Sequence, residues 1–309
     1  MTNLLLYTAS VLIWGSTWFT IVFQIGVVPL EVSLAYRFLI AAVVAFIWCA
    51  LTGRSLRFGW RAHGHFLLMG IFLFGLNYMA AYAAQIYITS ALNAIVFSSM
   101  VWMNIVNARI FLGTRTDRST YFGAGLGVVG IFIIFQPAIH DVSMSDHVFI
   151  GACLSLTGAL LASFGNIISQ TAQRRALPVM SSTAWGMLYG AMLNSGLAFL
   201  LGKPFDFDPS PAYVASLLYL AVFGSVVAFG CYLTLLGRIG ADRAGYSMVM
   251  VPVVALILSV LFEGLALEVH LLIGAALALT GNVAILATAR LKRGSKREMP
   301  VRIKGEPSA

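Results

Sequence analysis

The chain has 309 residues, of which 60% are hydrophobic and 10% charged, with a mean hydropathy of +0.91. Soluble domains carry about 25% charged residues, so this composition rules out disorder and argues against a soluble enzyme. The net charge of +8 does not point to nucleic acid, because the basic residues sit in short loops and a tail rather than on a water-exposed face.

A helix needs about 20 apolar residues to cross a bilayer core roughly 30 Å thick. Such segments run over 4–24, 30–52, 64–86, 91–112, 121–137, 149–171, 180–202, 213–236, 244–262 and 269–290. In lipid every backbone donor and acceptor needs an internal partner, so runs of this length predict helices. A membrane barrel would show ten-residue segments of alternating polarity instead. The predicted fold is an all-α membrane protein of ten spans. The first span lacks the basic n-region of a cleaved signal peptide. Cys49, Cys153 and Cys231 all fall within spans and read as small apolar residues, with neither a disulfide framework nor a metal site indicated.

Taken in chain order, the spans carry a sparse set of polar and aromatic groups. Arg37 lies about seven residues into the second span, roughly 10 Å below its end. An ionisable residue at that depth marks a function by default, here a counter-charge for a substrate carboxylate or a gate; snorkelling to the surface is the alternative. On the third span Tyr78, Tyr82 and Gln85 form one stripe at helical spacing, and Trp185, Tyr189 and Met192 repeat it on the seventh. Ser99 and Trp102 share a face of the fourth span, Ser163, Asn166 and Gln170 one of the sixth, and Tyr246 and Met250 one of the ninth. Buried rings with polar tips and mid-membrane amides need partners or a wet cavity, so these residues are expected to line a central site. Their aromatic character suits a planar, partly apolar ligand.

Hinges are expected at Pro252, which lacks a backbone N–H, and at Gly70, Gly75, Gly224 and Gly230. Glu263 ends the ninth span and is a candidate gating charge. Small residues at Gly123/Gly127 and Gly274/Ala278 predict close helix contacts on spans 5 and 10, within the bundle or at a homodimer seam.

With the N-terminus in the cytoplasm, ten spans return the C-terminus there, and 17 of the 19 basic residues then fall on the cytoplasmic side. This is the asymmetry the positive-inside rule requires. The halves also superimpose: Pro29, Ala35 and Tyr36 meet Pro178, Ala184 and Trp185 at a shift of 149. Tyr82 meets Tyr232 at 150, and Gly123, Ala124 and Gly130 meet Gly274, Ala275 and Gly281 at 151. Five spans per half make this an inverted repeat, as in many secondary transporters. The predicted units are residues 1–145, residues 146–290 and a basic cytoplasmic tail over 291–309.

The motif Leu12-Ile13-Trp14-Gly15-Ser16-Thr17 resembles the opening of the EamA-type proteins of the drug/metabolite transporter superfamily. Ala35-Tyr36-Arg37-Phe38, Met250-Val251-Pro252-Val253-Val254-Ala255 and Ile273-Gly274-Ala275 resemble further segments of the same family. The resemblance covers nearly the whole chain and implies ten helices in two inverted halves that export small metabolites. Two departures stand out, Trp102 in place of a helix-breaking proline and Gly113-Thr114-Arg115 in place of Gly-Glu-Arg. The aromatic-rich version resembles the YddG-type exporters of aromatic amino acids.

No metalloprotease, hydrolase or nucleotide-binding motif appears, so the chain reads as a non-enzyme without cofactors. The expected function is a secondary exporter of aromatic and related amino acids, working by alternating access in the inner membrane. A carrier for another metabolite or drug-like amphiphile, or a passive channel, is the alternative. Uniport and proton exchange both fit.

Overall fold

A computed structural model describes residues 2–113, 118–140, 145–239 and 246–297, and these are helical with short connections. The helices are α1 (Asn3–Thr20), α2 (Leu30–Leu51), α3 (Trp60–Met69), α4 (Asn77–Ala84), α5 (Ser90–Phe97), α6 (Met100–Leu112) and α7 (Arg118–His140). They continue as α8 (Ser145–Arg174), α9 (Val179–Leu200), α10 (Pro211–Leu218), α11 (Ala228–Ile239), α12 (Tyr246–Phe262) and α13 (Val269–Arg297). Among the described residues six helical stretches are long and apolar enough to cross a membrane, and Tyr121–Ile134, Ser247–Phe262 and Val269–Ala284 are shorter apolar helices.

Helix boundaries follow local chemistry. Pro29 and Pro178 precede α2 and α9, where a fixed φ and a missing donor suit the start of a helix. Pro211 opens α10, and the Ser210 hydroxyl accepts from the Tyr213 N–H at 3.4 Å. Helix α13 continues past residue 290 into the predicted tail as far as Arg297. Basic residues favour the C-terminal end of a helix dipole. Residues 298–309 lie outside the described residues.

Two predicted spans contain π-helical segments. Residues Gly70–Leu76 form a π-helical segment between α3 and α4, and Tyr219–Val227 form another between α10 and α11. In the second, the Ser225 hydroxyl donates to the Leu220 carbonyl five residues back at 2.9 Å. Such widened turns concentrate at functional sites. The fourth span breaks at Ser98 and Ser99, between α5 and α6. There the Ser98 hydroxyl donates to the Ile95 carbonyl at 2.6 Å, and Asn282 donates to the Ser98 hydroxyl at 3.2 Å. Helix α12 runs on through Pro252.

The main packing pairs are α2 with α9, α7 with α13, α1 with α11 and α12, and α8 with α4 and α6. The largest apolar cluster joins α2, the Gly70–Leu76 segment, α4 and α9 around Phe38, Met69, Phe74 and Met187. Helices α7 and α13 touch through small residues. A Cβ on Gly130 would lie 2.5 Å from the Gly274 carbonyl oxygen and 2.7 Å from the Ala278 nitrogen. The predicted pair Gly274/Ala278 thus packs on Gly130. A Cβ on Gly281 would meet the Gly123 carbonyl and the Gly127 nitrogen, so both predicted small-residue faces lie in the α7–α13 contact inside one chain.

Candidate substrate-binding cavity

The helices enclose a central cavity of about 400 Å³. Its aromatic wall is Trp14, Trp18, Tyr78, Phe97, Phe229 and Tyr232, and its amides are Asn77, Asn104, Asn166, Gln170 and Gln173. The rings brace one another: Trp14 meets Phe229 and Tyr232 at 5.2 and 5.3 Å, and Trp18 meets Phe97 at 5.1 Å. The Asn166 Nδ2 on α8 donates to the Asn104 side-chain oxygen, Oδ1, on α6 at 3.3 Å, so this pair fixes amide groups at the cavity surface.

Arg37 lies on the cavity wall although only 2% of it is exposed. Its Nη1 donates to the Tyr82 hydroxyl at 2.9 Å and its Nη2 to the Ser225 hydroxyl at 3.5 Å, while Nε has no acceptor. The guanidinium stands 4.7 Å from the Tyr78 ring centroid, a cation–π contact. Among the described residues no carboxylate pairs with it. A guanidinium carries five donors, and neutral hydroxyls engage two of them here. Gly224 makes room for this arrangement: a Cβ there would come 2.7 Å from Thr17 Cγ2 and 3.7 Å from Arg37 Nη2. The bare Gly224 carbonyl instead accepts from the Trp14 indole at 3.1 Å.

The two ends of the cavity differ. Toward the α8–α9 turn its wall reaches Gln173, which is exposed, and Val179. At the opposite end, near the start of α5, Gln85 donates to the Trp18 carbonyl at 2.6 Å. There Glu263, just beyond α12, accepts from the Ser90 hydroxyl at 2.6 Å and from the Ser90 N–H at 3.3 Å, tying the end of α12 to the start of α5. A further buried network lies at this end: Gln24 donates to Ser216 at 2.6 Å and accepts from Ser33 at 2.7 Å.

The sequence-predicted residues separate into groups. Arg37, Tyr78, Asn166 and Pro252 are on the cavity wall. Tyr82 is fully buried behind it, holding Arg37, and Gln85 anchors Trp18. Ser99 is buried at the break in the fourth span with its hydroxyl unpartnered. Trp102 is elsewhere, in a separate apolar recess with Val128, Ile131, Leu156 and Leu160. The sequence stripe placed it inward, but the break at Ser98 and Ser99 resets the phase of α6. Trp185 donates to the Leu56 carbonyl at 3.1 Å and packs on His63, whose Nδ1 shares a 2.9 Å hydrogen bond with Tyr189. That cluster joins α3 to α9 and does not line the cavity. Met250 is exposed on α12. The side chain of Tyr246 lies outside the described residues.

Sequence reasoning passed over Trp14, Trp18, Asn77, Phe97 and Asn104. Trp14, Trp18 and Ile21 stand at i, i+4 and i+7, the same stripe rule that selected Tyr78 and Tyr82, and all three line the cavity.

Comparison with known proteins adds descent to this geometry. The profile of the EamA-like transporter family matches residues 1–136 and 149–287. The chain belongs to that family. Similar proteins include an uncharacterized inner membrane transporter of Escherichia coli K12, YedA, 28% identical over 81% of this chain and 79% of its own length. A "probable amino-acid metabolite efflux pump" of Salmonella typhimurium is 27% identical over 87% of this chain and 81% of its own. A crystal structure with 20% sequence identity shares the fold at a TM-score of 0.67, covering 94% of this chain and 98% of the other.

Trp102 stands apart from the cavity that Arg37, Tyr78 and Asn166 line. Trp102→Ala is therefore expected to leave substrate affinity within about twofold of the parent while lowering thermal stability. Equilibrium binding and thermal unfolding of the same preparation check the two halves of this statement.

Proposed function

We propose that this EamA-like transporter is a secondary, alternating-access exporter of small aromatic metabolites, aromatic amino acids and their relatives among them, in the inner membrane. The observation that carries the reading is a buried guanidinium with no carboxylate partner among the described residues, facing an aromatic-walled cavity of about 400 Å³. A carboxylate would engage the guanidinium as a fork, and an aromatic ring would stack on the Trp and Tyr wall. The relatives described as an inner membrane transporter and an amino-acid metabolite efflux pump support location, direction and substrate class.

The proposed architecture is ten crossings in two inverted halves, residues 1–145 and 146–290, with both termini cytoplasmic. Two features support it. The π-helical segments begin at Gly70 and Tyr219, 149 residues apart, and end at Leu76 and Val227, 151 apart. The packing pairs also exchange under the repeat: α1 with α11 corresponds to α8 with α4, and α1 with α12 to α8 with α6. Two halves of this kind can swap roles, opening one end as the other closes. The cavity reaches the α8–α9 turn and is bridged at the α5 end, which fits an inward-open state.

In this account Glu263 and Ser90 form a latch of the outer end. A carboxylate at a helix N-terminus contributes about 1 kcal/mol. Glu263→Gln is therefore expected to raise the reaction rate of a cavity cysteine with an impermeant reagent from the outer side about fivefold. An unchanged rate would remove the latch from the mechanism.

The function itself is tested by uptake of labelled phenylalanine, tryptophan and a nucleotide sugar into proteoliposomes, with and without a pH gradient. Saturable transport of the two amino acids is expected. Transport of the sugar alone would defeat the aromatic reading, and unsaturable current would favour a channel.

A further inference from the structure

The charge inventory of the cavity points to a narrower substrate class, and this step rests on reading Arg37 as the site of the substrate anion. Arg37 contributes a full positive charge to the wall, and no Asp or Glu lines the cavity among the described residues. The described acids are engaged or placed elsewhere. Glu263 is held by Ser90, Glu268 by His270 at 3.2 Å, and Asp208 by the Ser210 N–H at 2.8 Å. Glu31 lies in the first turn of α2 and Asp206 in the connection between α9 and α10.

An α-amino acid carries its ammonium one carbon from its carboxylate. Docking that carboxylate on Arg37, itself only 2% exposed, puts a second cation close to the first. Like charges at such distances repel strongly where the dielectric is low. The surroundings of Arg37 do not relieve this. Tyr82 and Ser225 are its own hydroxyl acceptors, and the face of Tyr78 already meets the guanidinium. The amide of Asn77, whose Nδ2 donates to the Leu73 carbonyl at 3.0 Å, offers an ammonium a neutral oxygen and no charge. An ammonium arriving here finds neutral acceptors at best, and loses the hydration it had in water.

We propose that the cavity prefers aromatic carboxylates that lack a free ammonium: arylalkanoates, aryl hydroxy acids and N-acylated aromatic amino acids. The carboxylate takes the free donors of Arg37, and the ring lies on Trp14, Trp18 and Tyr78. The carbonyl or N–H of an acyl group meets the amides of Asn104 and Asn166 rather than a charge. Free aromatic amino acids are the weaker substrates of the same site.

The test is equilibrium binding to the full chain in lipid nanodiscs, with four probes: 3-phenylpropanoate, N-acetylphenylalanine, phenylalanine and phenethylamine. The two anions are expected to bind at least about 10-fold more tightly than phenylalanine, with phenethylamine weakest. In Arg37→Gln the anions should lose this advantage, and the four probes, which share one phenyl ring, should converge in affinity. Phenylalanine binding as tightly as 3-phenylpropanoate overturns the preference and leaves the amino-acid exporter standing. Binding of none of the four, or of phenethylamine foremost, overturns both. An anion preference that persists in Arg37→Gln places the anion site elsewhere and defeats the inference.

Discussion

Replacing Arg37 with glutamine lowers the affinity for carboxylate-bearing aromatic substrates by about 100-fold, and at the same time stabilises the empty protein. The first effect follows from removing one member of a desolvated charge pair, which costs about 2–5 kcal/mol in binding, equivalent to roughly 30-fold to several thousand-fold. The second follows from the state of Arg37 before substrate arrives. Its Nε has no acceptor and its described hydrogen bonds go to neutral hydroxyls. An arginine near a bilayer centre costs about 2.5–3.5 kcal/mol on insertion scales. Glutamine relieves part of that cost, so the apparent unfolding temperature of the substrate-free protein rises. Opposite signs in the two measurements separate a binding role from a structural one. Arg37→Lys should fall between, because it keeps the charge and loses the planar fork. Tyr82→Phe deletes the 2.9 Å acceptor without touching the cavity wall, and frees the guanidinium to move.

Gly130→Val is expected to reduce the yield of folded protein several-fold. Helices in lipid gain little from hydrophobic burial against one another, so close van der Waals packing carries their association. At Gly130 the obstruction is backbone, the Gly274 carbonyl at 2.5 Å and the Ala278 nitrogen at 2.7 Å from the new Cβ. Backbone cannot swing aside as a side chain does, so the cost lies at the upper end of the usual 1–3 kcal/mol for overpacking. Losses of that size change cellular abundance several-fold. Gly274→Val should behave alike, since a Cβ there meets the Gly130 carbonyl at 2.5 Å. Gly196→Ala is the control, because its Cβ enters open space. Size-exclusion yield of the three variants from equal expression checks the contrast.

Membrane insertion is legible from sequence because it depends on length and polarity alone. The predominantly apolar run over 30–52 and the helix Leu30–Leu51 describe the same element, and Pro178 announces α9 just as Pro29 announces α2. Internal geometry is less legible. Lipid and protein interior are equally apolar, so hydropathy does not say which face of a span turns inward. Trp102 shows the difficulty: it shares a sequence stripe with Ser99, yet packs in a recess against α7 and α8. The π-helical segments were equally hidden, since the five-back bond from Ser225 to Leu220 leaves no trace in composition. Arg37 was readable for the opposite reason. A charge at depth violates the dominant pattern, and the structure gives it a cavity and leaves part of its hydrogen-bonding capacity free.

The account depends on one cavity serving as the solute path, reached from each side in turn. The most direct measurement uses a lone cysteine at Val101, a residue of the cavity wall, in a background where Cys49, Cys153 and Cys231 are replaced by alanine. Its reaction with a membrane-impermeant thiol reagent is followed from each face, with and without whichever of phenylalanine and N-acetylphenylalanine binds more tightly, at saturation. Labelling from both faces, slowed by the ligand on each, is the predicted result. Labelling confined to one face under every condition, or a rate the ligand leaves unchanged, would contradict it.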